Sequence, residues 1–284
     1  MLSIFILYSP DRKMYLEKQL TYLKKMDHFA SCQKTLIVDG EPNVCPEQFE
    51  IVRVDRNKER YNWAKAWTAG VNASKNEIIV YLDCDRLLPK DYLSEIMRAI
   101  KNDPNCFAYT PNHFIIQKFP GDNILQEALS LHPDEVKKKH YPGVMFEPRF
   151  RRPTHFPGKN PMSGSVGFRK VTFEKTEEMG LVDYYYEGHG AFFDSDFFLS
   201  TYKKGFNFFE LPNLTELHFG HSKRDNGEML SDKEVGLQGL ENFVYYCKKW
   251  YISLDNPIKV AKNLKLEKPE EYVNNLLCKL DKQA

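Results

Sequence analysis

Apolar residues along this 284-residue chain fall into short unbroken runs separated by amphipathic segments. Leu2 to Leu7 is such a run apart from Ser3, ended by Ser9-Pro10, and predicts a buried strand. Leu16, Leu20 and Leu23 then recur at helical spacing among lysines, which predicts an amphipathic helix. Thr35 to Val38, Ile51 to Val54 and Ile78 to Leu82 predict further strands, with a helix over residues 61–74. Pro89 opens another helix, whose apolar face is Leu93, Ile96, Met97 and Ile100.

From about residue 106 to 162 the alternation dissolves into Pro, His, aromatic and basic residues, which predicts long loops or a lid. Periodicity returns with GSVGF (164–168), a helix near 170–179, a helix after Asp194 and a strand at Phe206–Leu211. Beyond Ser231 the chain reads as helical. Ser231 and Glu234 form a candidate capping box, and Leu237, Leu240, Val244, Cys247 and Tyr251 mark one apolar face. No internal repeat interrupts this order. Strand–helix alternation predicts an α/β fold with a mainly parallel central sheet flanked by helices, over residues 1–226, followed by a helical C-terminal extension over 227–284.

In open sheets of this kind, ligands bind beyond the carboxyl ends of the strands. Two predicted strands end in carboxylates there: Asp39 after TLIV, and Asp83-Cys84-Asp85 after IIVYL. An Asp-x-Asp triplet is common by chance, and Asp is frequent in strand-terminal turns. Its placement favours the functional reading. Carboxylates at a strand end suit Mg²⁺ or Mn²⁺, which also bind substrate phosphate oxygens.

Composition narrows the classes. Forty basic and 39 acidic residues give a formal net charge of +1, which argues against a general nucleic-acid binder. Six scattered cysteines without a CxxC pair lack zinc-ribbon spacing and read as reduced thiols. The N-terminal apolar run is too short for a membrane span and lacks the features of a signal peptide, so the expectation is a cytoplasmic protein without a transmembrane segment. FVYYCKKWYI near the C-terminus mixes aromatic and basic residues, which leaves peripheral membrane contact open beside the plainer reading of core packing.

YNWAKAWTAG (61–70), EIIVYLDCDRLLP (77–89), GSVGFRKVTFEK, YEGHGAFFDSDFFLSTYKKGF and HFGHSKRDN follow one another in a set order. Together they resemble glycosyltransferases of the GT-A fold, in particular the β-1,4-galactosyltransferase and polypeptide N-acetylgalactosaminyltransferase groups. The resemblance implies a metal-dependent, inverting hexosyl transfer from a UDP-sugar to a glycan or other hydroxyl acceptor. It implies Asp194 as catalytic base. It places Arg12, Asp39, Asn62, Lys65, Asp83 and Gly164 at the donor, and Asp85, His221 and His218 on Mn²⁺ or Mg²⁺. The imidazoles favour Mn²⁺.

Two positions depart from the family pattern and bear on acceptor and donor identity: Phe193 stands where relatives carry Glu, and Trp63 where galactosyltransferases carry Arg. Asp194 also suits a helix N-cap, Asp196 a structural role in the same turn, and the histidines a polar pair beside a strand end. Arg149, Arg151 and Arg152 suit either a diphosphate clamp or a solvated basic stretch. Two rival functions stand beside transfer. A nucleotidyltransferase acting on sugar phosphates would want a Gly-rich basic loop after the first strand, and LYSPDRK has no Gly. A non-catalytic nucleotide-sugar-binding module is favoured only by Phe193.

Overall fold

A computed structural model gives the fold and describes residues 1–54, 62–103, 106–115, 124, 127, 131–142, 164–186, 192–218 and 232–282. The strands are β1 (Leu2–Tyr8), β2 (Gln33–Asp39), β3 (Phe49–Val54), β4 (Ile78–Asp83), β5 (Arg86–Leu87), β6 (Cys106–Ile115), β7 (Val166–Arg169) and β8 (Asn207–His218). The helices are α1 (Lys13–Leu23), α2 (Trp63–Ala73), α3 (Tyr92–Asn102), α4 (Pro133–His140), α5 (Lys170–Glu178), α6 (Phe193–Lys203), α7 (Asp232–Lys249), α8 (Asp255–Asn263) and α9 (Pro269–Asp281). Among the described residues the strands form one eight-stranded sheet in the order β3-β2-β1-β4-β7-β6-β8-β5.

The sheet is mixed and mostly parallel, as the alternation predicts. β1 lies parallel to both β2 and β4, β2 is parallel to β3, and β6 is parallel to β8. β7 runs antiparallel between β4 and β6, and β5 antiparallel to β8. Both faces are covered, which is why β1 and β4 read as continuous apolar runs. On one face, Ile4, Ile6, Val80 and Leu82 pack with Leu16, Leu20, Leu93 and Ile96 of α1 and α3. On the other, Phe5 and Tyr81 pack with Trp67, Phe173 and Phe197 of α2, α5 and α6.

Three expectations need correction. Tyr251, placed on the apolar face of the C-terminal helix, lies beyond its end at Lys249 and is exposed. The 106–162 segment is not all loop: Cys106–Ile115 is a strand and Pro133–His140 a helix. Helix α3 begins at Tyr92, with Asp91 as N-cap, so Pro89 lies ahead of it. The predicted capping residue Ser231 lies outside the described residues.

The C-terminal helices have an apolar cluster of their own, with Leu240, Val244, Ala261, Val273, Leu276 and Leu280. α7 is also part of the sheet-face core, through Phe243, Tyr246 and Cys247. No helix among the described residues is long and apolar enough to cross a membrane.

Candidate active site

β1 has a parallel neighbour on each side, a switch point of the kind beyond whose carboxyl ends open α/β sheets bind ligands. Arg12 follows β1, Asp39 closes β2, Asp83 closes β4, and Asp85 stands in the turn after it. Residue 86 then starts β5, whose antiparallel pairing sets Arg86 opposite His218, the last residue of β8. That short strand carries the Asp-Cys-Asp turn to the late histidine.

Asp85 is buried, at 6% side-chain exposure, and faces two guanidinium groups and an imidazole. Arg12 Nη1 is 3.0 Å from Oδ2, His218 Nε2 is 3.4 Å from the same oxygen, and Arg86 Nε is 3.5 Å from Oδ1. Burial alone would raise the Asp85 carboxyl, but His218, Arg86 and Arg12 hold it well below the usual carboxylate range. Burial and then Arg86 depress His218, and Asp85 opposes them.

Arg86 and Glu216 are central to the site, and sequence reasoning missed both. The Arg86 guanidinium donates to Asp83 through Nε (3.1 Å) and Nη2, and through Nη1 to Glu216 (2.9 Å). Glu216 is fully buried, and its other oxygen accepts the Ser165 backbone N–H at 2.8 Å. The one signal available was a charged pair, Glu216 and His218, spaced two apart on a strand and therefore on one face. Tyr81 donates its hydroxyl hydrogen to the second Asp83 oxygen, and Gln19 Nε2 donates to the Asp83 carbonyl at 2.6 Å. The Asp83 side chain is thus fixed from both ends.

Gly164 precedes Ser165 with φ +132°, a backbone conformation that side chains resist, and is buried beside this network. Asp39 is buried at the end of β2. Asn62 caps α2 by accepting the Lys65 N–H at 2.9 Å, and donates to the Tyr184 carbonyl at 2.8 Å. Both ends of its amide therefore serve the protein's own backbone, and Lys65 sits in the first turn of that helix.

Asp194 lies in the first turn of α6 and is not the N-cap, which is Phe192. It accepts the Ser195 N–H at 2.8 Å. Asp196 is fully buried and bound by Lys249 and Trp250, in keeping with a structural role. Phe193 is buried and stacks on Phe197, so its ring faces the core and not an acceptor. His221, Arg149, Arg151 and Arg152 lie outside the described residues.

A carboxylate oxygen and an imidazole nitrogen 3.4 Å apart are donor types that divalent cations accept. Asp85 and His218 therefore fit Mn²⁺ or Mg²⁺. Among the described residues no group of three or more acidic, histidine or cysteine side chains completes such a set.

The sequence profile of glycosyl transferase family 2 matches residues 13–179, more than half of the chain. The chain belongs to glycosyl transferase family 2. The family 2 match runs from α1 to just beyond α5 and includes the whole Asp83–Arg86 turn.

Solved structures add the fold. S. aureus TarS (residues 1–349) in complex with UDP-GlcNAc is similar at a TM-score of 0.54 and 9% identity, covering 95% of this chain and 74% of that one. The same TarS fragment in its other crystal structure gives a TM-score of 0.51 at 9% identity, with the same coverage. A mannosyltransferase from Pyrobaculum calidifontis, in complex with GDP-Man and Mn²⁺, gives a TM-score of 0.49 at 13% identity over 100% of this chain and 75% of its own. Curated proteins give no match. This family 2 chain has the GT-A fold, with a mixed, mostly parallel sheet flanked by helices and further helices at its C-terminus. It is a glycosyltransferase that moves sugar from a nucleotide-sugar donor.

Proposed function

We propose that this protein transfers a hexose or N-acetylhexosamine from a UDP-sugar to a hydroxyl of a glycan or similar acceptor, with inversion and with help from Mn²⁺ or Mg²⁺. The observation that carries the reading is the meeting of Asp85, Arg12 and His218, from three separate elements, at the carboxyl ends of β1 and β4. The UDP-GlcNAc bound by TarS, whose fold is similar, supports a uridine donor. The order of motifs shared with β-1,4-galactosyltransferases and polypeptide N-acetylgalactosaminyltransferases supports the same donor class and the inverting outcome.

Each side chain has an assigned task. Asp85 and His218, joined by His221, would hold the cation, which when bound neutralises charge on the departing nucleoside diphosphate. Arg12 contacts the diphosphate as a guanidinium fork. Asp39 takes the uracil end, and Asp83, already aligned by Arg86 and Tyr81, takes the ribose. Asn62 and Lys65 shape the nucleotide wall through the start of α2, and Gly164 lets backbone approach the sugar. Asp194 accepts the proton of the acceptor hydroxyl as that oxygen attacks the anomeric carbon from the face opposite the leaving group.

A panel of UDP-sugars assayed for hydrolysis with Mn²⁺ and with EDTA tests this reading. Metal-dependent turnover of at least one UDP-sugar is expected. No turnover across the panel, or turnover only by phosphorolysis with added pyrophosphate, would refute it.

A further inference from the structure

The C-terminal helix α7 reaches into the start of α6, the helix that carries Asp194. Lys249 Nζ, at the end of α7, lies 2.7 Å from Asp196 Oδ2 and 2.6 Å from Asp183 Oδ2. Trp250 Nε1 donates to Asp196 Oδ1 at 2.6 Å. Asp183 also accepts from Tyr245 of α7, hydroxyl to Oδ2 at 2.8 Å. Asp183 and Asp196 lie on either side of the segment leading into Asp194, so one ammonium grips the chain before and after it.

A backbone feature at the same place needs such a grip. Phe192, immediately before α6, has φ +75°, a left-handed conformation that is costly for an aromatic residue and persists only where its surroundings over-determine it. Its ring stacks on Phe243 of α7 at 4.5 Å and packs on Tyr246 at 5.3 Å. The strained turn, the buried Asp196 and the Asp183 corner are thus all held by one helix.

We propose that Lys249 and Trp250 are positioning residues for the transfer reaction, fixing the first turn of α6 so that Asp194 meets the acceptor hydroxyl. This inference rests on Asp194 acting as the base. Displacing a catalytic group by about 1 Å can cost on the order of a hundredfold in rate. Helix α7 then belongs to the catalytic apparatus, and it cannot be removed without loss of turnover.

The test uses the full chain and Mn²⁺-dependent hydrolysis of a UDP-sugar that turns over, with water as acceptor. UDP affinity in the presence of Mn²⁺ is measured alongside. Lys249→Met and Trp250→Phe are expected to lower kcat roughly ten- to a hundredfold, with UDP affinity held within about twofold. Lys249→Arg, which keeps the cation, is expected to recover most of the rate. Trp250→Phe leaves Lys249 in place and keeps the test decisive if Lys249→Met fails to fold. Wild-type kcat in Trp250→Phe and Lys249→Met, or a loss of UDP affinity equal to the loss of rate, would overturn the inference. Asp194→Asn separates the two claims: if it is inactive while the Lys249 and Trp250 variants are not, positioning alone fails; if it turns over normally, both fail.

Discussion

Arg12 Nη1 stands 3.0 Å from Asp85 Oδ2, on the carboxylate assigned to the metal, and Arg12 is the more exposed partner at 28% against 6%. The guanidinium competes for the oxygen a cation would use, and its greater exposure lets it turn to a diphosphate instead. Arg12→Ala should therefore raise Mn²⁺ affinity of the donor-free protein, by up to about tenfold, the equivalent of 1.4 kcal/mol. It should also weaken UDP binding. Free Mn²⁺ counted by electron paramagnetic resonance, with and without UDP, checks both signs.

Glu216 ties Arg86 to Ser165 from a fully buried position. Removing its charge leaves a buried guanidinium with less compensation, and breaking a buried pair costs roughly 3 kcal/mol or more. Glu216→Gln should lower stability by about that amount in urea denaturation.

Gly167 sits in β7 between β4 and β6, where the backbone has no room to retreat. A Cβ there would meet Ile96 Cγ2 of α3 at 2.2 Å. Gly167→Ala should destabilise by about 1–3 kcal/mol. Because the clash is with one side chain, adding Ile96→Ala should cost less than the sum of the two single changes, as a double-mutant cycle would read.

The thiols give a pH-linked prediction. Burial pushes Cys32 and Cys106 up to about 11 and Cys247 to about 12, and burial followed by Asp85 raises Cys84 as well. A raised thiol remains protonated at pH 8 and is a poor nucleophile. Cys45 and Cys278 are exposed. A chromogenic disulfide reagent at pH 8 should therefore titrate two thiols quickly in the native protein and all six after unfolding.

The first half of the fold was legible because β1, β2 and β4 are buried on both faces and each carries a run of consecutive apolar residues. β6 was not. Its sequence, CFAYTPNHFI, carries Pro111, which cannot donate to a ladder, and the pairing with β8 shifts register between Pro111 and Asn112. A Pro beside a bulge removes the period-two signal.

In the site, Asp83 and Asp85 were legible from their place at a strand end. Glu216 was not, because a charge is read as surface unless its partner is visible, and Arg86 lies 130 residues away. Asn62 was placed at the donor by resemblance, yet its amide is spent on a helix cap and on Tyr184. Lys249 and Trp250 looked like packing or a membrane face for the same reason: Asp196 lies 53 and 54 residues away in sequence.

Calorimetric titration of UDP into the wild-type protein and Asp85→Asn, each with Mn²⁺ and with EDTA, tests the central claim most directly. Wild-type binding that requires Mn²⁺, together with loss of that metal dependence in Asp85→Asn, is the predicted result. UDP affinity unchanged by EDTA, or unchanged by the substitution, would contradict it.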